Sequence, residues 1–579
     1  MILQALNDYY ERLRADPETE VSDFGFSQEK LAFSLVLSEQ GSVVQLRDLR
    51  QFEGKRSFPK PAVVPKLPKE RSGTNAPSYF MWDKSKYVLG CELDSDGNEI
   101  FFKNQFDSFA EVHREILGDN KDSGAKALLN FIDQRIFGQV PEWATKELLS
   151  TGFICFELDG QRGFLHERSA IRNAWQEYLR KNQSEIRGQC LITGQHDCSI
   201  PSTHPQMKNV PGAQPAGAAL VSFNAPAFGS YGKGTSNHNA PVSERAAFGY
   251  TTALNVLLAP GSRRKVQLGE TTVVFWTDIP GVAEEFFGLS VGVKEAEDHE
   301  MAQEVDQYLR AVVKGYYPHE LGKRDTPFYV LGLSPNAARL SVRFWHVGTV
   351  GKMAENIGNH YKALRLQRSF ENEPEYPRPW WLLKELAPQR DSRHIPPLLG
   401  GQFIRAIVHN QPYPRTLLTT VMGRIRADRQ VNYLRACIIK AYLTRNAQKE
   451  ISMGVDKENT NIGYRLGRLF AVVDYIQNDA APGANVTVRD RFFGAAAATP
   501  RRIFPVILKN AQHSLAKIRK EKPGWAITLD KSVQTILGDV DPRKGFPATM
   551  TLEQQGMFVL GYYHQRQDLY TKQEDKTEE

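Results

Sequence analysis

The sequence predicts an α+β N-terminal region, built on mixed or antiparallel sheet over residues 1–390, followed by an all-α helical-bundle domain over residues 391–579. Three observations predict it. Through the first two thirds, short apolar runs bounded by turn residues interleave with amphipathic stretches too irregularly for a doubly wound sheet. Beyond RPWWLL, near residue 390, apolar residues recur at helical spacing. A chain of 579 residues also exceeds what one core usually organises, so two to four domains are expected.

The elements follow in order. Ile2, Leu6, Tyr9 and Leu13 share one helical face over residues 2–14. LAFSLVL (31–37) and SVVQL (42–46) flank a Glu-Gln-Gly turn and read as a hairpin. YVLGCEL and NEIFF, joined by Asp-Ser-Asp-Gly, read as a second hairpin. That loop is not an EF-hand, because its sixth position is Glu99 instead of glycine. Helices are expected near 107–118, 123–136 and 168–182, with the strand FICFEL before the last and an irregular segment from about 190 to 242. TTVVFW, FYVLGL and RLSVRFW return as strands.

In the C-terminal domain, Ile462, Leu466, Leu469, Phe470, Val473 and Ile476 form one stripe, and Ile503, Ile507, Ala511, Ser514 and Ile518 a second. Thr551 with Gln554 makes a capping box before a helix through Tyr563. The acidic KQEDKTEE is expected to be a disordered tail. Arg489, Arg491, Arg501 and Arg502 bracket a predicted turn, RDRFFGAAAATPRR, where cations suit phosphate contacts as well as they suit ordinary solvation.

Composition narrows the class. The absence of an apolar run of about 18 residues, and Asp8, Glu11 and Arg12 where a signal peptide needs an apolar region, predict a soluble cytoplasmic protein with no membrane partner. Five scattered cysteines argue against a disulfide framework. The net charge of +7 is modest, but it is unevenly placed. From Lys55 to Lys86, eight Lys or Arg stand against Glu70 and Asp83, a net of +6. A solvated Pro-rich linker and a nucleic-acid contact both account for that concentration.

Motifs for catalysis are mostly absent. HVGTVGKM resembles a phosphate loop only in its Gly-Lys, since His346 stands where the first glycine belongs and Met353 replaces the hydroxyl residue. There is no H-E-x-x-H or dinucleotide fingerprint. Cys190, His196, Cys198 and His204 are the best metal candidates, but their spacing lacks a C-x2-C knuckle, so no cofactor or metal is expected.

Four long stretches carry a resemblance: GTNAPSYFMWDKSKYVLG, SFNAPAFGSYGKGTSNHNAPVSERAAFGYTTALNVLL, FYVLGLSPNAARLSVRFW, and GYRLGRLFAVVDYIQ continuing to KNAQHSLAKI. In order and character they are similar to large subunits of the subtype I-C CRISPR surveillance complex, Cascade. That resemblance implies a non-catalytic subunit. It would assemble with guide RNA and other Cascade subunits, recognise the protospacer-adjacent motif in duplex DNA, help open the duplex, stabilise the R-loop and recruit a separate helicase-nuclease. Guide pairing then reads the target while protein reads the flanking motif.

The resemblance also implies a minor-groove reader built from a glycine-bearing loop and amide or lysine donors. An A·T pair shows only acceptors in that groove, so the reader must donate from a slim backbone. Asn75 offers an amide beside Gly73 and Thr74, and Lys69, Arg71 and Lys84 suit neighbouring phosphates. Tyr79 is placed either to wedge a base step or to anchor the loop, whereas Phe80 and Trp82 are expected to anchor. A second loop, GSYGKGTSNHN, offers Lys233, Asn237 and Asn239. The helical domain resembles Cascade small subunits, and an internal start near Met453 would produce a separate one contacting the displaced strand. Two other classes stay open: a metal-dependent nucleic-acid hydrolase centred on Cys190 to His204, and a general RNA-binding scaffold.

Overall fold

A computed structural model describes every residue except 18, 20, 54–55, 68–75, 151, 293–298, 484 and 575–579. The chain packs as two units. Met1–Asn209 with Gln214–Val256 form the first, and Val210–Ala213 with Leu257–Glu579 form the second.

The first unit is organised on the long strand Phe26–Leu37. Its second half pairs antiparallel with Val43–Asp48, as the hairpin signal predicts, and its first half pairs antiparallel with Lys60–Pro65. Phe153–Leu158 joins it in parallel, so the sheet is mixed. Helices Lys103–Leu117, Ser123–Gln134 and Ser169–Lys181 pack Phe109, Leu128, Phe131 and Trp175 into one core with Leu35, Leu37 and Phe156. Gly41, at φ +89°, closes the first hairpin where a Cβ would stand 2.5 Å from the Phe131 backbone nitrogen. Asp122 caps the second helix and pairs through both oxygens with Arg168 at 2.8 Å.

The Asp-Ser-Asp-Gly hairpin forms between Cys91–Leu93 and Glu99–Phe101. Its first strand corrects one expectation. YVL is not extended: Ser85–Val88 is one helical turn, buried except at Lys86 and held by the Tyr87 hydroxyl donating to the Ala76 carbonyl at 3.0 Å. The segment from 190 to 242 is largely irregular, apart from a two-residue ladder of Cys198–Ser199 on Arg187–Gly188 and two short 3-10 turns.

The second unit opens on a four-stranded antiparallel sheet in sequence order: Lys265–Leu268, Thr271–Thr277, Pro327–Asn336 and Arg339–Thr349. Phe275, Phe328, Val330 and Phe344 join a core with residues of Val282–Val291, His299–Val313 and Val350–Leu364. The change of texture near residue 390 falls inside this unit, whose hydrophobic cluster runs unbroken from Val266 to Leu569. Helices Ile462–Ala480 and Leu552–Glu574 cross in backbone contact: a Cβ on Gly467 would meet the Phe558 carbonyl at 2.0 Å, and one on Gly561 the Tyr464 carbonyl at 2.1 Å. The predicted capping box forms, with Thr551 and Gln554 exchanging side-chain and backbone hydrogen bonds. The predicted turn RDRFFGAAAATPRR is mostly helix, Val488–Ala498, and breaks only at Thr499 before Pro500–Glu521. No described helix is long and apolar enough to cross a membrane.

Buried imidazoles link this packing to pH. Burial pushes His113 down to about 4, His166 to about 3, and His204 and His564 to about 4; it holds His360 well below the usual value. His113 shows why: its Nδ1–H donates to the Phe109 carbonyl and its Nε2 accepts from the Met81 N–H, leaving no place for a second proton. A base whose folded pKa lies below its unfolded one contributes stability that is fully present above the unfolded pKa and lost as pH falls toward the folded one. Stability should therefore fall between pH 6.5 and 4, by up to about 1.4 kcal/mol per pH unit for each such histidine. Urea unfolding at pH 7, 6 and 5 checks this, and a flat profile would refute it.

Candidate nucleic-acid interface

The described residues on either side of the basic segment 68–75 are fixed. Lys69, Arg71, Gly73, Thr74 and Asn75 themselves lie outside the described residues. On the upstream side the Lys66 N–H donates to the Gly25 carbonyl at 2.9 Å, and its Nζ pairs with Glu29 at 2.7 Å. On the downstream side Trp82 is fully buried and its Nε1 donates to the Pro65 carbonyl at 2.7 Å, so one side chain joins both stems. Tyr79 stacks on Trp82 with centroids 4.3 Å apart and rings within 3° of parallel. Phe80 is buried and stacks on Trp175 at 5.3 Å. Asp83, with no exposed surface, accepts from the Tyr79 and Lys84 backbone nitrogens at 2.8 Å each. Lys84 is exposed, its Nζ 5.8 Å from the Phe153 ring centre. Tyr79, Phe80 and Trp82 thus all pack as anchors, with Lys84 an exposed cation beside them.

The second loop divides its polar residues. Lys233 is exposed. Asn237 is only 2% exposed. Asn239 donates to the Gly234 and Ser236 carbonyls at 2.9 and 2.8 Å and accepts from the Ser230 N–H at 2.9 Å, so its amide closes the loop instead of facing outward. Tyr231, 98% exposed, projects from the tip.

In the helical part, the four arginines separate. Arg489 is partly buried, its backbone N–H donating to Asp474 Oδ1 at 3.3 Å, and Arg501 donates to the Phe546 carbonyl at 3.2 Å. Arg491 and Arg502 are exposed with no ion pair among the described residues. Arg502 begins a feature that sequence reading missed. Arg502, Val506, Lys509, His513, Lys517 and Lys520 recur at steps of four, three, four, four and three, and all are exposed. They lie opposite the buried stripe Phe504, Ile507, Ala511, Leu515 and Ile518, forming a cationic ridge about 27 Å long. Its signal was the helical period of the cations themselves.

The family model described as CRISPR-associated protein (Cas_Csd1) matches residues 6–570. The chain belongs to this family. No curated protein matches it.

For this CRISPR-associated chain the Cys/His segment has separate local roles. The Cys190 thiol lies at the start of helix Glu244–Leu258, where its Sγ accepts from the Ser243 N–H at 3.3 Å, which helps hold it down at about 7 against burial. His204 Nδ1 and the Tyr250 hydroxyl are 2.7 Å apart, His196 is exposed, and the Cys198 Sγ lies 3.5 Å from the Gln195 carbonyl. Among the described residues no three His, Cys, Asp or Glu side chains converge on a metal position. The Gly-Lys of HVGTVGKM opens helix Val350–Leu364, but the Val350, Gly351 and Lys352 N–H groups already donate to Thr326, Arg324 and Thr349, so they form no phosphate cradle.

Proposed function

We propose that this CRISPR-associated chain is the large subunit of a subtype I-C Cascade complex and performs no chemistry of its own. It recognises the flanking motif in duplex DNA through the loop of residues 68–75, aids opening of the duplex, and leaves cleavage to a recruited helicase-nuclease. Support comes chiefly from one arrangement: a Gly- and Asn-bearing segment with a basic composition, set on stems joined by a buried tryptophan. Fixed stems reduce the ordering cost of engaging a groove. Lys233 and Tyr231 form a second exposed contact, and the ridge from Arg502 to Lys520 follows the backbone of the displaced strand or of the guide–target duplex.

Asn75 and the cations should fail differently. Asn75→Ala is expected to weaken binding to the preferred flanking motif by about 1–3 kcal/mol, leaving scrambled motifs nearly unaffected. Lys69→Ala with Arg71→Ala should weaken all duplexes alike and reduce the salt slope by about one unit for each phosphate no longer neutralised. Gel-shift titration of the assembled complex at two salt concentrations separates the two. Full discrimination by Asn75→Ala, together with its loss in Lys233→Ala, would move the reader to the second loop.

A fragment beginning at Met453 would contain all five helices from Ile462–Ala480 to Leu552–Glu574. We expect it to fold alone, since the glycine-mediated crossing lies inside it. Circular dichroism with a cooperative melt is the expected result, and a coil spectrum would overturn it.

A further inference from the structure

A cavity of about 290 Å³ opens in the second unit where helix His299–Val313 ends. The chain turns sharply there: Gly315, at φ +87°, donates to the Val312 carbonyl, and Tyr316 donates to that of Ala311. This turn throws Tyr316 outward, where it is 71% exposed. The next tyrosine is fixed instead. Its hydroxyl donates to the Gly322 carbonyl at 2.9 Å, and the Arg324 guanidinium lies over its ring, 5.2 Å from the centroid. The Arg324 carbonyl accepts from the Gly351 N–H at 2.9 Å, tying this turn to the start of helix Val350–Leu364. That helix contributes Asn359 and Lys362, three residues apart and therefore on one face.

We propose that Lys314, Tyr316, Tyr317, Arg324, Asn359 and Lys362 form a binding site for single-stranded nucleic acid. A base stacks on Tyr316, its edge meets the Asn359 amide, and the flanking phosphates lie against Lys314, Arg324 and Lys362. Little in the fold itself calls for these groups. The Tyr316 ring covers little protein surface. Lys314, Arg324 and Lys362 make no ion pair among the described residues, and Asn359 makes no side-chain hydrogen bond among them. The carboxylate lining the cavity, Glu355, is neutralised by Lys352 at 2.9 Å. A free phosphate would need the cations but not the tyrosine, and a duplex hides the base faces that an aromatic platform takes up. The site depends on neither candidate loop of the first unit, so it stands or falls separately from the flanking-motif reading.

Full-length protein carrying alanine at Arg502, Lys509, Lys517 and Lys520, which removes the ridge's background binding, is titrated with labelled oligo(dT), oligo(dU), oligo(U), a duplex and poly-glutamate. Photocrosslinking with 4-thiothymidine in the oligo(dT) locates the contact. We expect crosslinks at Tyr316 or Tyr317. Tyr316→Ala should lower oligo(dT) affinity about 5- to 100-fold with the salt slope unchanged, whereas Tyr316→Trp should preserve it. Lys314→Ala with Lys362→Ala should flatten the slope by about 1.4. Comparison of oligo(dU) with oligo(U), which differ only in the 2′-hydroxyl, identifies the sugar preferred. Wild-type affinity in Tyr316→Ala, crosslinks confined to other segments, or equal competition by poly-glutamate would each overturn the proposal.

Discussion

Replacing Trp82 by alanine is expected to destabilise the first unit by about 3–5 kcal/mol, the usual cost of emptying a buried aromatic site. The side chain has no exposed surface, stacks on Tyr79, packs edge-on to Phe153 at 4.8 Å, and donates to the Pro65 carbonyl. Removal leaves a cavity and an unpartnered carbonyl at one of the two stems of the basic loop. Discrimination among flanking motifs should therefore fall even where the protein remains folded. Trp82→Phe retains part of the ring contacts but loses the donor, and should cost about 1–3 kcal/mol. Denaturant unfolding of both variants measures the difference. An unchanged midpoint in Trp82→Ala would show that the stems are held by other contacts.

The second large effect concerns the ridge. Alanine at Arg502, Lys509, Lys517 and Lys520 should reduce single-strand affinity on the order of 100-fold at 0.15 M salt and flatten the salt slope by about three units, as expected for about 0.7 units per neutralised phosphate. Stability should barely change, because these side chains are exposed and make no ion pair among the described residues. An equal loss of melting temperature and affinity would point to a folding defect instead. Retained affinity with an unaltered slope would remove the ridge from the interface.

Much of the fold was legible because its signals are local. The Glu-Gln-Gly and Asp-Ser-Asp-Gly turns specify their hairpins, and Thr551 with Gln554 specifies a helix start, without help from distant residues. Distant packing decided the rest. YVL reads as strand by composition, yet burial and the Tyr87 bond to Ala76 make it a helical turn. In the Pro500–Glu521 helix the expected stripe named Ile503 and Ser514, whereas Phe504 and Leu515 are the buried members; a spacing of three or four fits either pair until the neighbours are known. The candidate sites divide in the same way. Lys233 and Asn239 look equally available in a Gly-rich sequence, but an asparagine amide can both donate to and accept from its own loop, whereas a lysine ammonium only donates. The sequence of residues 314–324 carries aromatic and basic residues openly, but the cavity beside them needs Asn359 and Lys362 from a helix some forty residues later.

The backbone contact at Gly467 and Gly561 sets an order of events during synthesis. One partner of that crossing, Leu552–Glu574, is made long after the first unit is complete at Val256. At about 5–20 residues per second, the roughly 300 residues between them take about 15–60 s to make. For that interval the first unit can be native while the Ile462–Ala480 helix, once synthesised, has the face that meets Leu552–Glu574 uncovered. Ribosome-bound chains stalled before Leu552 should therefore recruit holdase chaperones at the second unit, and release should follow emergence of the Leu552–Glu574 helix.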